Sequence, residues 1–365
     1  MTTTNSQNAP VYPLVPSDAG KAAQEVVRRG IARLQAGDRA GALADFHAAA
    51  ALDPQWATPW NNAGLVRHML GQYRAAIADF EQALVRRPDY VDALTNRGRA
   101  FQALGEVAAA AADFDRALAG AVGQAAGLVL HNRGMLRQQQ GDLAGALADF
   151  DRSLEINPRH TASRIARGLA RKQVGALDDA VADFDQALAE QPAHGLAAIY
   201  HGRGGVRVLQ NKFAEALSDY DEALRLEPDN VCYYISRANA RYHKRDVRAV
   251  VDFRMAFFLD AEGAAREVLR TVTADAQRDA TPVLENCTKH LRICPRDVLA
   301  NARRGLTLLL LGRQAEARPD LERVSEALPD LLPHWRRLVE LAGGQLPSAS
   351  QLGTLDAVFA AMADG

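Results

Sequence analysis

The stretch at 76–84, Ala-Ile-Ala-Asp-Phe-Glu-Gln-Ala-Leu, returns in drifting form at 110–118, 146–154, 180–188 and 216–224, with fainter versions beginning at Ala42, Ala249 and Ala317. A period of about 34 residues marks a solenoid, whose units cannot bury their apolar faces alone and so stack. About a dozen residues before each copy lies a partner segment, clearest at Asn96-Arg-Gly98, Asn132-Arg-Gly134 and Ala166-Arg-Gly168. Between the two comes Gly71, Gly105, Gly141, Gly175, Asn211 or Gly312, and after the later segment Pro54, Pro88, Pro158, Pro192, Pro228, Pro295 or Pro329. One unit therefore reads helix, left-handed glycine turn, helix, proline stop.

Gly64, Gly98, Gly134 and Gly168 fall inside the first helix of a unit, where each costs about 1 kcal/mol relative to alanine. Such a repeated cost predicts a close backbone approach. Ala42, Ala76, Ala110, Ala146, Ala180 and Ala216 are the small residues expected to face those glycines from the second helix. Phe46, Phe80, Phe114, Phe150, Phe184 and Tyr220 follow four residues later, on the same helical face, and are expected to fill the space between units.

This spacing of Gly, Ala, Phe and Pro resembles the tetratricopeptide repeat (TPR) family across residues 23 to 331. The family's tryptophan near the start of the first helix has a counterpart only at Trp60, and its tyrosine after the first glycine is mostly replaced, by Arg67, Arg137, Arg171, Arg207 and Arg241 or by Phe101. The resemblance implies an all-α fold, a right-handed α-solenoid of about nine helix-turn-helix units. The expected units run 23–56, 57–90, 91–126, 127–160, 161–196, 197–230, 231–263, 264–297 and 298–331 within a solenoid at 20–331. Residues 1–19, polar and dotted with Pro10, Pro13 and Pro16, read as a disordered tail. Residues 332–365 read as a capping helix and a C-terminal tail, with an amphipathic stretch at 352–362. The eighth unit, where Thr271, Val283 and Cys287 replace the pattern residues, is expected either to bend the stack between 255 and 285 or simply to drift.

The resemblance also implies a non-catalytic scaffold for protein-protein interaction, whose first helices line a concave groove for a peptide or protein segment. The lining transferred onto this chain is Asn61, Asn62, Asn96, Arg99, His131, Asn132, Gln138, His201, Asn239 and Tyr242. Asn62, Asn96 and Asn132 each lie two residues before the glycine, similar to the asparagine ladder in the TPR region of O-linked N-acetylglucosamine transferase. An amide offers donor and acceptor together, as extended peptide backbone requires. Bracing of neighbouring helices is the equal alternative for these three residues. Further along, Ile165, Leu169, Val208, Val268, Leu306 and Leu309 are expected to make the groove apolar. The lysines of a chaperone-tail clamp have no counterpart at the matching places.

Two charged ladders recur with the period. Arg29, Arg97, Arg133, Arg167, Arg203, Arg237 and Arg304 precede the helical glycine or its equivalent, and Asp45, Asp79, Asp113, Asp149, Asp183, Asp219 and Asp252 precede the aromatic or its equivalent. The arginines are either a phosphate-binding track or partners of the aspartates. The acids repeat as faithfully as the bases, which favours structural ion pairs, each contributing about 0–1 kcal/mol if exposed. A second set, Arg33, Arg67, Arg137, Arg171, Arg207 and Arg241, lies one turn further on. Its stems are expected to cover the aromatics while the heads reach water or a ligand.

Net charge is −1, so no strong overall field favours nucleic acid or an anionic membrane. The three cysteines, Cys232, Cys287 and Cys294, have neither disulfide nor metal spacing, and Cys287 falls where a unit buries a large apolar residue. The expectation is a reducing, cytoplasmic location, with no membrane span and no secretory signal at the start. Arginine far outnumbers lysine, which suggests a bacterial source. The histidines are scattered, and no catalytic constellation, phosphate loop, metal site or cofactor motif has spacing behind it. The chain is therefore expected not to be an enzyme, to need no cofactor and to act through a protein or peptide partner. Self-assembly into a homo-oligomer through the ends or convex face is the alternative, and nucleic-acid binding through the arginines a minor one.

Overall fold

The computed structural model describes residues 18–327 other than 191, 193, 194, 245, 247, 261, 262, 265, 266, 269–279, 282, 290, 293, 294, 296 and 297. The expected tail at 1–17, the capping helix and amphipathic stretch beyond 327, and much of the expected bend lie outside the described residues. Among the described residues every regular element is a helix. The chain divides into two compact units, 1–174 and 175–365. The first holds α1 (Asp18–Gln35), α2 (Arg39–Leu52), α3 (Ala57–Met69), α4 (Tyr73–Arg86), α5 (Val91–Ala103), α6 (Val107–Gly120), α7 (Gly123–Gln139), α8 (Leu143–Ile156) and α9 (Thr161–Val174). The second holds α10 (Leu177–Ala189), α11 (Leu196–Leu209), α12 (Phe213–Leu226), α13 (Val231–His243), α14 (Ala249–Leu259), α15 (Val298–Leu310) and α16 (Gln314–Ala327).

The helices pack as sequential hairpins. In the first unit α1 lies against α2, α3 against α4, α5 against α6 and α7 against α8, and each second helix then packs on the next first helix. The turns follow the glycine reading. Gly71 closes the α3–α4 turn at φ +73°, and Asn211 takes the same left-handed place between α11 and α12 at φ +60°, a region that asparagine tolerates better than most residues. Asp38 and Asp142 cap α2 and α8 by accepting the backbone N–H of Gly41 at 2.8 Å and of Gly145 at 2.9 Å, satisfying one donor at each exposed helix start.

Each unit's core is built on aromatics. Phe46, Phe80, Phe114, Phe150 and Phe184 are fully buried, as are Ala42, Ala76, Ala110, Ala146, Ala180 and Ala216. What faces the helical glycines differs from the expectation. A Cβ on Gly64, Gly98 or Gly134 would come within 2.6–2.7 Å of Cε1 of Phe80, Phe114 or Phe150, and one on Gly204 within 2.7 Å of Tyr220. The glycine admits the edge of the aromatic ring, and at Gly64 the alanine backbone is close as well, Ala76 O lying 3.0 Å away. Gly202 does the same for the ring of Phe184 on α10, at 2.7 Å. Cys287, at the position where the period expects the aromatic, is buried to 2% exposure.

Candidate functional site on the first-helix face

The two arginine ladders converge on buried acids. Arg97 meets Asp113 as a fork, Nε to Oδ2 at 2.8 Å and Nη2 to Oδ1 at 2.7 Å. The same fork joins Arg29 to Asp45, Arg133 to Asp149, Arg237 to Asp252 and Arg304 to Asp320. The second set turns inward to the same carboxylates: Arg67 to Asp79 at 2.8 Å, Arg137 to Asp149 at 2.9 Å, Arg207 to Asp219 at 2.8 Å and Arg241 to Asp252 at 2.6 Å. These four heads are engaged by the acids; Arg33, 3.2 Å from Asp45, stays 41% exposed, as the expectation for that set had it. The acids are buried, Asp219 and Asp252 to 2% exposure. Where the arginine is covered as well, as for Arg237 with Asp252 at 16% and 2% side-chain exposure, breaking the pair costs about 3–5 kcal/mol rather than a fraction of one; Arg29, 56% exposed, pairs with Asp45 at the surface.

The first-set arginines also reach back one hairpin. Arg133 contacts Asp115 at 2.7 Å, Arg167 contacts Asp151 at 2.6 Å, Arg203 contacts Asp185 at 2.6 Å and Arg237 contacts Asp221 at 2.6 Å. Each such guanidinium thus bonds an acid of the hairpin before its own. The hydrogen bond to Asp113 holds the Arg97 guanidinium above its ordinary pKa against the effect of burial. In the second unit Arg304 Nη1 reaches Thr288 Oγ1 instead of an acid, at 3.3 Å. In the first unit one junction departs from the rule: Ala63 stands where its other hairpins have the first-set arginine, and His47 where they have the exposed acid. His47 Nε2 lies 3.6 Å from Asp79 Oδ1, and burial, only partly opposed by Arg67 and His47, pushes the Asp79 carboxyl above its usual range.

With the arginines engaged, what the first helices present is mainly uncharged. They also touch one another directly, α3 against α5, α5 against α7 and α7 against α9, as no two second helices do to the same extent. Asn96 Nδ2 donates to Asn61 Oδ1 at 3.1 Å, joining α5 to α3. Gln102 pairs with Gln139 at 3.1 Å, and Gln138 with Gln173 at 2.9 Å. Asn132 instead donates to Leu128 O in its own helix at 2.9 Å, and Asn62 is half-buried. The three asparagines two residues before the glycine therefore do not repeat one contact.

His131 on α7 belongs to a polar cluster that sequence reasoning missed apart from that one residue. Ser153 donates to Gly127 O at 2.8 Å and lies 2.9 Å from Ser163, whose Oγ is 3.0 Å from His131 Nδ1 and 2.6 Å from His160 Nδ1. Because a carbonyl only accepts, the Ser153 proton goes to Gly127, and Ser163 must donate to Ser153. Both histidines then donate through Nδ1–H and keep Nε2 as an acceptor. Burial, then His160 and Arg99, lowers the His131 pKa to about 4. Arg99 is exposed on α5, and its charge adds to burial in lowering His68 on α3 as well.

Asn61, Asn62, Asn96, Arg99, His131, Asn132 and Gln138 are thus spread over the adjacent helices α3, α5 and α7. His201, Asn239 and Tyr242 lie in the second unit. There His201 Nε2 is 2.8 Å from Ser236 Oγ, its ring 4.8 Å from that of Tyr233, and Tyr242 OH is 3.9 Å from Cys287 Sγ. The expected apolar lining is only partly at the surface. Leu169 is exposed, but Leu306 and Leu309 are buried to 1% and belong to the core. Among the described residues there is no cluster of three metal-ligating side chains, and no helix long and apolar enough to cross a membrane.

Family models described as tetratricopeptide repeat match residues 69–126 and 127–160. No curated protein matches the chain. Among solved structures, the chain is similar to a tetratricopeptide repeat protein from Parabacteroides merdae, with 23% identity, 66% of this chain and 94% of that one covered, and a TM-score of 0.52. It is similar to PilF of Pseudomonas aeruginosa at 17% identity, covering 62% of this chain and 100% of that one, TM-score 0.55. It is also similar to a monomeric mutant of IFIT1 with Gppp-AAAA, at 14% identity, covering 84% and 71%, TM-score 0.56. At these identities the likeness shows the fold.

Proposed function

Because the chain is a tetratricopeptide repeat protein, we propose that it is a non-catalytic scaffold holding a peptide or protein segment in a concave groove lined by α3, α5, α7 and α9. The observation that carries this reading is the helix-to-helix row of amides and imidazoles: Asn61 with Asn96, Gln102 with Gln139, Gln138 with Gln173, and His131 with Ser163. Amides carry both donors and acceptors and imidazole one of each, so such a row suits the alternating N–H and C=O groups of an extended chain. The setting in this proposal is the cytoplasm of a bacterium, and neither nucleic acid nor membrane is the partner, since the arginine ladders are occupied by buried acids.

A random peptide display library panned against the full chain tests it. Peptides recovered on the wild type are expected to be lost on the Asn62→Ala, Asn96→Ala, Asn132→Ala triple variant, with the helical circular dichroism unchanged. Equal recovery on a folded triple variant removes these three asparagines from the site.

A second reading, homo-oligomeric assembly, has one observation behind it. Val251, Met255 and Phe258 form a stripe along α14 that is 61%, 40% and 85% exposed, an apolar face of the kind that monomers seldom leave open. Light scattering decides it: a monomer at high concentration excludes assembly through that stripe.

A further inference from the structure

The first-helix face of residues 57–174 is almost free of carboxylates. Helices α3, α7 and α9 contain no Asp or Glu, and α5 only Asp92, in its first turn. The second helices α4, α6 and α8 carry the acids, including Asp79, Glu81, Asp113, Asp115, Asp149 and Asp151. This segregation follows from the fork chemistry. Each acid must sit on a second helix to meet the arginines of a first helix, so the opposite side of the first helices is left without negative charge.

Arg99 stands on that side. It is exposed, and unlike Arg97, Arg133 and Arg137 it has no carboxylate partner among the described residues. Its surroundings supply none: His68 and His131, on the helices to either side, both have pKa values lowered by burial and by Arg99 itself, and Asn96, Asn132 and Gln138 are neutral. An exposed guanidinium among uncharged donors matches a carboxylate in charge and in bidentate geometry. We propose that the occupant of this groove is an acidic peptide segment, with an Asp or Glu carboxylate held by Arg99 between His68 and His131. The proposal rests on the groove reading and narrows it to one partner chemistry.

The test uses the full chain and a randomised 12-residue peptide display library, followed by fluorescence anisotropy of the leading peptide. Recovered peptides are expected to be richer in Asp and Glu than the starting pool, and Arg99→Gln is expected to weaken the leading peptide at least about tenfold, the scale of one charge-assisted hydrogen bond. Arg28→Glu, on α1, is expected to change nothing, and Arg99→Glu to abolish the acidic preference. Peptides recovered without acidic enrichment, or bound equally by Arg99→Gln, overturn the acidic partner and leave the groove standing. Recovery of no peptide at all removes the groove and this proposal together. A 12-nucleotide RNA that displaces the leading peptide and binds the wild type more tightly makes nucleic acid the occupant and overturns the proposal.

Discussion

Gly98 and Gly120 show how differently one residue type is used within one hairpin. A methyl group on Gly98 would lie 2.7 Å from Cε1 of the fully buried Phe114, whereas one on Gly120 would meet only Val91 Cγ2 at 3.7 Å. Gly98→Ala is expected to destabilise by about 1–3 kcal/mol, because overpacking outweighs the helix-propensity gain. Gly120→Ala is expected to be neutral or to stabilise by up to about 1 kcal/mol. Denaturant midpoints of the two variants check this. His131 gives a pH dependence. Its imidazole titrates near 4 when folded and near 6.5 when unfolded, so in between the unfolded chain holds a proton that the folded chain lacks. Stability therefore falls as pH drops from about 6.5 towards 4. Urea titrations at pH 7 and pH 5 are expected to show a smaller acid loss for His131→Asn than for the wild type.

Helices α4 and α8 present the same aspartate in opposite circumstances. Asp149 on α8 accepts three guanidinium bonds, two from Arg133 and one from Arg137. Asp79 on α4 has Arg67 and a histidine, and burial raises its pKa. A raised carboxyl means that the ionised form is worse off folded than unfolded, so its charge detracts from stability at neutral pH. Asp149→Asn is accordingly expected to cost on the order of 3 kcal/mol, and Asp79→Asn at pH 7 to be neutral or stabilising, as thermal unfolding of each variant will read. The helix pairs, the left-handed turn at Asn211 and the pairing of the arginine and aspartate ladders were legible in the sequence because all recur with the period. The ring edge against Gly98 was not, since periodicity assigns residues to a shared face without saying which atoms meet. Ser153, Ser163 and His160 were invisible for the opposite reason: they occur once, and a reading built on recurrence passes over them.

At the scale of the first unit, each hairpin contacts its neighbours and little else, so damage should stay local. In Gly98→Ala, amide hydrogen exchange is expected to quicken in α4 to α7 and to change little in α1 and α8. Uniform loss of protection along the unit would show a single cooperative block instead. The backward reach of the first-set arginines has a consequence for how such a chain can grow. Arg133 and Arg167 find their outer acids at equivalent places, so a hairpin duplicated or deleted there leaves donor and acceptor matched at the new seam. The seam between α2 and α3–α4 is different, because His47 and Ala63 supply neither half of that contact. A copy inserted at that seam would meet the wrong chemistry, which keys α1–α2 to α3–α4 and leaves the following hairpins of this unit interchangeable.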